Sequence, residues 1–374
     1  MNMDKELLSL ITLNNVPDLG PVRINRLIEY FSSAENVLKA SLEELKQVEG
    51  VGERIAKNIL DIKNKFDPED ELKLANSNNT KIISYKDPDY PKMLSYLPDA
   101  PKIIYVKGEI KPLDTISISV VGTRKPTSYG RMVVEKIIKQ LSEYNITIVS
   151  GLAYGIDTLA HQFAIKNGLR TIAVLGNGVG VYYPTSNKIL QDKIPEYGAL
   201  ISEFPFKAKP SKNTFPQRNR IIAALSLGTL VIEADIKSGA IITAKFALDL
   251  GKDVFAIPGS IFSSKSNGTN YLIKTGAKIV CSAEDIIEEI KSLSDIVSKN
   301  TTKKEEAQFI RVQLDETQSK IFDIIKSEPN GVHIDKILSV SGMGINNLMN
   351  VLYFLEINSY IKTLPGKIYV AIER

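Results

Sequence analysis

The sequence predicts an α/β protein: a parallel sheet wrapped by helices, flanked by a small helical domain and a winged helix. Three observations predict it. From Thr115 onward, short apolar runs alternate with helical stretches, the pattern of buried parallel strands joined by crossover helices. Before that, residues 5 to about 64 read as short helices punctuated by Gly and Pro. After it, a polar stretch leads into three helical patterns and a terminal hairpin.

Taken in order, residues 1–75 form the helical domain. Two of its segments share a grammar, Val16-Pro17-Asp18-Leu19-Gly20 and Val48-Glu49-Gly50-Val51-Gly52. The second has the hydrophobic-Gly-hydrophobic-Gly pattern of a helix-hairpin-helix turn. Its glycines permit a tight turn, and the next helix start can offer backbone N–H groups to a phosphate. Over residues 1–66, however, 9 Lys and Arg face 10 Asp and Glu. Phosphate affinity is mostly charge-driven, so a helical adaptor that binds nothing is the simpler reading.

Residues 76–291 form the core. Residues 84–113 are rich in Pro, Asp and Tyr. They are expected to drape over the core as a connection with one short strand, Ile103–Val106. Core strands are expected at Ile116–Val121, Ile146–Val149, Ile172–Leu175, Leu200–Ser202, Leu230–Glu233 and Val254–Ile257. Residues 292–314 read as a polar linker. In residues 315–374, helices at Thr317–Ser327, Ile334–Ser339 and Gly344–Leu355 precede a hairpin around Pro365-Gly366, which makes a winged helix.

Composition limits the function classes. The 374 residues carry a net charge of +4, too small to establish a nucleic-acid partner without local clustering. The single cysteine, Cys281, excludes an internal disulfide and suits a reducing compartment. With one Cys and two His, His161 and His333, a structural zinc site of the usual kind cannot be assembled. No metal or cofactor is expected. The N-terminus has an early acid and no long apolar stretch, unlike a secretory leader. The longest apolar run, Ile221–Ile232, is broken by Ser226 and Gly228 and is too short to span a bilayer. A cytoplasmic protein without membrane contact is expected.

The candidate site residues lie where strands end. Gly122-Thr123-Arg124 follows the first core strand and puts backbone amides, a hydroxyl and a guanidinium at the sheet edge where such folds bind ligands. An Arg that merely caps a loop is the plainer reading. Ser150-Gly151 with Gly155 and Asp157-Thr158 forms a possible phosphate cradle, although Asp157 also suits a structural helix cap. His161 follows on the helix, and no Ser-His-Asp spacing marks it as catalytic; a helix-packed histidine is the simpler reading. A further glycine cluster, Gly176-Asn177-Gly178 to Tyr182-Tyr183-Pro184, is a weak signal alone.

The richest stretch runs from Phe206 to Arg220. It holds Lys207, Lys209, Lys212, Arg218 and Arg220, and no acid occurs between Glu203 and Glu233. Phe215 stands among these charges, beside Gln217 and Asn219. Cations for phosphates and a ring for a base are what a single strand needs; a plain core role for Phe215 stays open. Pro216 suits the first helical turn. Ser238-Gly239 and Thr243 open the last of these strand-to-helix turns, a further anion site.

Together and in this order, Gly122-Thr123-Arg124, Ser150-Gly151 with Gly155-Ile156-Asp157, Phe215-Pro216 with Arg218-Asn219-Arg220, Ser238-Gly239-Ala240 with Thr243-Ala244, Pro258-Gly259, and the Asn270 to Gly276 stretch resemble the DprA/Smf DNA-processing family. The resemblance covers most of the chain. It implies an extended Rossmann-like core, a SAM-like helix-hairpin-helix domain and a winged helix. It also implies a non-enzymatic protein that binds and protects single-stranded DNA, helps load the RecA recombinase in natural transformation, and forms a homodimer through the core. Arg124 would then hold a phosphate, Lys212 support the strand and Phe215 meet a base.

Two other readings stand beside it. The core is similar to the LOG-type nucleotide phosphoribohydrolases, but Thr243 occupies the place of their catalytic Glu, and a hydroxyl cannot serve as that acid/base. A winged-helix regulator of duplex DNA is the other, weakened because residues 315–374 carry 6 Lys and Arg against 7 Asp and Glu.

Overall fold

The computed structural model describes residues 5–290, 314–328, 331–357, 360–364 and 366–371. These fall into two compact units, one within Met1–Val297 and one within Ser298–Arg374. The expected linker, apart from Leu314, lies outside the described residues. Among those residues no helix is long and apolar enough to cross a membrane.

The first unit opens with six helices: α1 (Lys5–Asn14), α2 (Pro21–Phe31), α3 (Ala34–Lys39), α4 (Leu42–Lys46), α5 (Glu53–Ile62) and α6 (Pro68–Ser77). Their starts are chemically marked. Ser33 caps α3, a Ser41–Glu44 capping box starts α4, and Asp67 caps α6 ahead of Pro68, each supplying an acceptor for otherwise orphaned N–H groups. Leu10, Leu27 and Ile59 share one core with Ile82, Tyr105 and Leu200 of the sheet, so the helices pack directly onto it.

The sheet has nine strands: β1 (Thr80–Ser84), β2 (Ile103–Gly108), β3 (Ser117–Gly122), β4 (Thr147–Ser150), β5 (Thr171–Val174), β6 (Gly198–Ser202), β7 (Gly228–Ile232), β8 (Asp253–Ala256) and β9 (Lys278–Ile279). Their spatial order is β1-β2-β6-β5-β4-β3-β7-β8-β9. From β6 to β9 every pair is parallel. The connecting helices are α7 (Ser128–Leu141), α8 (Ile156–Lys166), α9 (Lys188–Tyr197), α10 (Thr214–Leu225), α11 (Gly239–Asp249), α12 (Asn267–Lys274) and α13 (Glu284–Glu289). Buried side chains such as Val121 and Val231 on one face, and Val120 and Ile232 on the other, fill two separate apolar layers, as a doubly wound sheet requires. The chain order reverses between β3 and β7, and this switch point opens a crevice outside the strand ends.

Residues 84–113 differ from the draped connection that the sequence suggests. Ile103–Val106 is fully buried, and β2 joins the sheet between β1 and β6, antiparallel to both. The Pro- and Tyr-rich surroundings hide this, because the partner strand β6 lies almost a hundred residues away.

The second unit has its own core, including Ile321, Ile325, Leu348 and Leu352. Its elements are α14 (Glu316–Lys326), β10 (Val332–His333), α15 (Ile334–Ser341), α16 (Ile345–Ile357), β11 (Ile361–Leu364) and β12 (Ile368–Ala371). The strand order β10-β12-β11 adds a short strand to the expected hairpin and gives the three-stranded wing.

Candidate nucleic-acid interface

A cleft of about 770 Å³ lies at the carboxyl ends of β3 and β7. Its lining joins four cations, Arg124, Lys212, Arg218 and Lys265, with two carboxylates, Asp157 and Asp235. A surplus of positive charge in a concave site favours an anionic ligand.

The Arg124 loop is held from below. Thr123 N–H donates to the Glu233 carbonyl at 2.6 Å, and Thr127 N–H donates to the Glu233 carboxylate at 2.8 Å. The Thr127 hydroxyl donates to the same carboxylate and accepts from Gly130 N–H at 3.2 Å, which caps α7. Gly155 has φ +82°, and a Cβ there would stand 2.3 Å from the Thr123 carbonyl. Only glycine fits both demands. The loop therefore rests on residue 155 while Arg124 itself stays exposed.

The second wall is the first turn of α10. Phe215 is half-buried. The Arg124 guanidinium carbon lies 5.7 Å from its ring centroid, and the Tyr183 ring lies 5.3 Å away, tilted by 36°. Lys212 is exposed just before the helix. Arg218, one turn on, is only 3% exposed. Its Nη1 donates to the Gly151 carbonyl at 2.6 Å and to the Val174 carbonyl. Burial pulls its pKa down to about 10, against the attraction of Asp157, so it stays charged at neutral pH. Burial pushes the Asp157 carboxyl up, and Arg218 opposes that. Gly151 makes this packing possible, because a Cβ there would lie 2.5 Å from the Arg218 guanidinium.

The third side is the start of α11. Ser238, Gly239 and Thr243 line the cleft. Asn219 Nδ2 donates to the Gly239 carbonyl at 3.2 Å and ties α10 to α11. The Ser238 hydroxyl is buried without a partner. Thr243 is 1% exposed and its hydroxyl turns back to the Gly239 carbonyl at 3.3 Å.

The structure thus gathers Gly122, Thr123, Arg124, Lys212, Phe215, Arg218, Asn219, Ser238, Gly239 and Thr243 around one cleft. Gly151 and Gly155 shape it from behind. Three expected residues do not reach it. Ser150 is fully buried and donates to the Val120 carbonyl at 2.7 Å. Arg220 is 3% exposed, 2.5 Å from Glu203 and 3.0 Å from Asp99. Gln217 lines a different cavity, beside Glu203. Burial pushes the Glu203 carboxyl up to about 7, against the charge of Arg220.

Sequence reasoning passed over Lys265 and Asp235 altogether. Tyr183 was visible only as part of the third glycine cluster. His161 is fully buried, its Nδ1 2.7 Å from the Thr171 hydroxyl. That hydroxyl already donates to the Ile148 carbonyl, so Nδ1 carries the proton and Nε2 is bare. This is the helix-packed histidine. In the helical region, Arg23 and Arg26 donate to the carbonyls of Gly50 and Glu49, and Arg54 pairs with Asp18. The arginines there tie one hairpin to the other.

A cationic crevice at the switch point of a parallel sheet, with an aromatic ring in its wall, defines an anion-binding α/β protein of the doubly wound class. The chain belongs to the DprA/Smf family. Residues 81–291 match the family model described as DNA recombination-mediator protein A, and residues 10–62 match the SAM-like helix-hairpin-helix tandem. The chain is 32% identical to the protein Smf of Synechocystis sp. across 95% of this chain and 96% of that one. The X-ray structure of DNA processing protein A from Streptococcus pneumoniae superposes with a TM-score of 0.66 at 36% identity, covering 78% of this chain and 99% of that one. A structure of DNA processing protein A from Helicobacter pylori, described for its unique single-stranded DNA binding mode, superposes with a TM-score of 0.51 at 30% identity over 59% of this chain and 96% of that one.

Proposed function

We propose that this protein binds single-stranded DNA in the cleft and passes it to the RecA recombinase during natural transformation and recombination. The observation that carries the reading is the Phe215 ring, half-exposed in the same cleft lining as Arg124 and Lys212. Ring and cations together meet a base and its phosphates. Arg124 and Lys212 hold phosphates, Phe215 stacks on a base, and Ser238, Gly239 and Asn219 lie along the strand. Arg218 supplies fixed charge to the floor.

Membership of a family of recombination mediators supports the RecA partnership. The inward-turned Thr243 hydroxyl supports binding over acid/base chemistry. The protein works as a cytoplasmic homodimer joined through residues 268–290 of the core, where Tyr271 of α12 and Ile279 of the edge strand β9 are 47% and 45% exposed. A symmetric pair is the commonest way to cover such a surface. Residues 1–75 and 315–374 flank the DNA-binding core as accessory domains.

Titration of the purified protein against labelled single- and double-stranded oligonucleotides tests the reading. Preference for the single strand, steeply weakened by salt, is expected. Equal or stronger duplex binding would overturn it.

A further inference from the structure

The loop from β8 to α12 carries the most exposed large apolar side chain among the described residues. Phe262 is 94% exposed and its neighbour Ile261 is 80% exposed. The loop is firmly held all the same. Gly259 and Asn270 exchange two hydrogen bonds, at 3.2 and 3.0 Å. Ser263 N–H donates to the Ser260 carbonyl at 3.0 Å, and Phe262 N–H donates to the Ser260 hydroxyl at 3.2 Å. The Tyr129 hydroxyl holds the Pro258 carbonyl at 2.8 Å. The anchored loop holds the bare ring in a fixed place, and covering such a ring is favourable.

The chemistry around the ring indicates which partner. From Pro258 to Ser266 the loop holds no acid and one cation, Lys265. The acid-free run that builds the α10 wall has the same character. Ser260, Ser263 and Ser264 flank the ring with hydroxyls. Lys265 lines the cleft, and its ammonium donates to the carbonyl of Lys125, next to Arg124. Lys265 therefore belongs both to the loop and to the cleft wall.

We propose that Phe262 is a second base platform, on which a single strand leaving the cleft across Lys265 stacks its next bases. This rests on the cleft being the single-strand site. An aromatic ring with adjacent cations and hydroxyls suits nucleic acid without regard to base identity, so the extension lengthens the site without adding sequence preference.

The chain contains no tryptophan, so a Phe262→Trp variant reports on this position alone. Its emission is followed while binding is measured independently by anisotropy of a labelled oligo(dT). Quenching is expected with an oligonucleotide of about 12 nucleotides and not with one of about 4, which fills only the cleft. Phe262→Ala should weaken binding of the longer strand by roughly 5- to 150-fold and leave the shorter one unchanged. Phe262→Leu, apolar but without a ring, should behave like Phe262→Ala. Full binding of the longer strand without quenching overturns this proposal and leaves the cleft assignment standing. Absence of single-strand binding by any measure overturns both. Emission that changes with protein concentration before DNA is added, and is then insensitive to DNA, overturns it by assigning the loop to contact between protein copies.

Discussion

Replacing Phe215 by alanine separates stacking from charge at the cleft. In the free protein the ring is already engaged, with the Arg124 guanidinium carbon 5.7 Å and the Tyr183 ring centroid 5.3 Å from its own centroid. A base that stacks on Phe215 must displace the guanidinium, at a cost of about 0.5–1 kcal/mol for a solvent-exposed cation–π contact. Stacking returns about 1–3 kcal/mol, so the base wins and Arg124 is freed to meet a phosphate. The net loss in Phe215→Ala is then about 0.5–2 kcal/mol, or roughly 2- to 30-fold in affinity. The fold should survive, because the ring is only half-buried and a large-to-small change costs less there than the 3–5 kcal/mol of a full core position. The assay is fluorescence anisotropy with a short oligo(dT) across a salt series, with thermal melting as the control. Weaker binding with an unchanged salt slope is expected. A loss of affinity carried by a changed slope would mean that the ring acts only by placing Arg124. An unchanged affinity in the folded variant would refute the stacking role.

Four further outcomes follow from named contacts. Arg124→Ala and Lys212→Ala should each lower the steepness of log K against log salt by roughly 0.7; unchanged slopes in both would remove the phosphate assignment. Gly151→Ala places a Cβ 2.5 Å from a guanidinium that two carbonyls hold in place, and denaturant melts should show about 1–3 kcal/mol of lost stability. Removing residues 301–374 should leave binding of a short single strand intact, since Arg124, Lys212, Phe215 and Lys265 all belong to the first unit; abolished short-strand binding by a folded core would misplace the site. His161 gives an acid-limb prediction. Burial pushes its pKa down to about 3, so the unfolded chain binds the proton more readily from pH 6.5 downward. Its contribution is complete above about pH 6.5 and falls away toward pH 3, by about 4–5 kcal/mol in all. Stability of His161→Phe should depend less on pH across that window; an equally steep acid limb would exclude the histidine as its source.

The sheet was legible because its parallel strands are buried on both faces and so appear as uninterrupted apolar runs. β3, expected at Ile116–Val121, spans Ser117–Gly122, and β7, expected at Leu230–Glu233, spans Gly228–Ile232. The antiparallel extension was not. β1 has no counterpart among the expected strands, and β2 is expected only within a surface connection, because β2 is fixed by pairing with β6 across a long stretch of chain and β1 by pairing with β2 alone. Local pattern carries no trace of such a partner. The cleft followed the same rule. Residues at strand ends were found from the strands themselves, whereas Lys265 and Tyr183 arrive from loops whose course only the packing determines.

The α10 segment carries two kinds of arginine. The basic stretch through Arg220 was read as one surface, yet residues two apart on a helix face in different directions. Phe215, Arg218 and Asn219 stand at i, i+3 and i+4 and share the face that lines the cleft. Arg220 is turned away, and it finds Asp99 and Glu203 instead. Once Pro216 had marked a helix start, helical spacing alone would have separated these two arginines. It could not have shown that Arg218 is buried. That depends on Gly151, whose missing side chain leaves room for the guanidinium, and the two residues are brought together only by the crossing of α10 over the end of β4. Charge in this sequence therefore announces a site before it distinguishes the cations that meet the ligand from those that hold the wall in place.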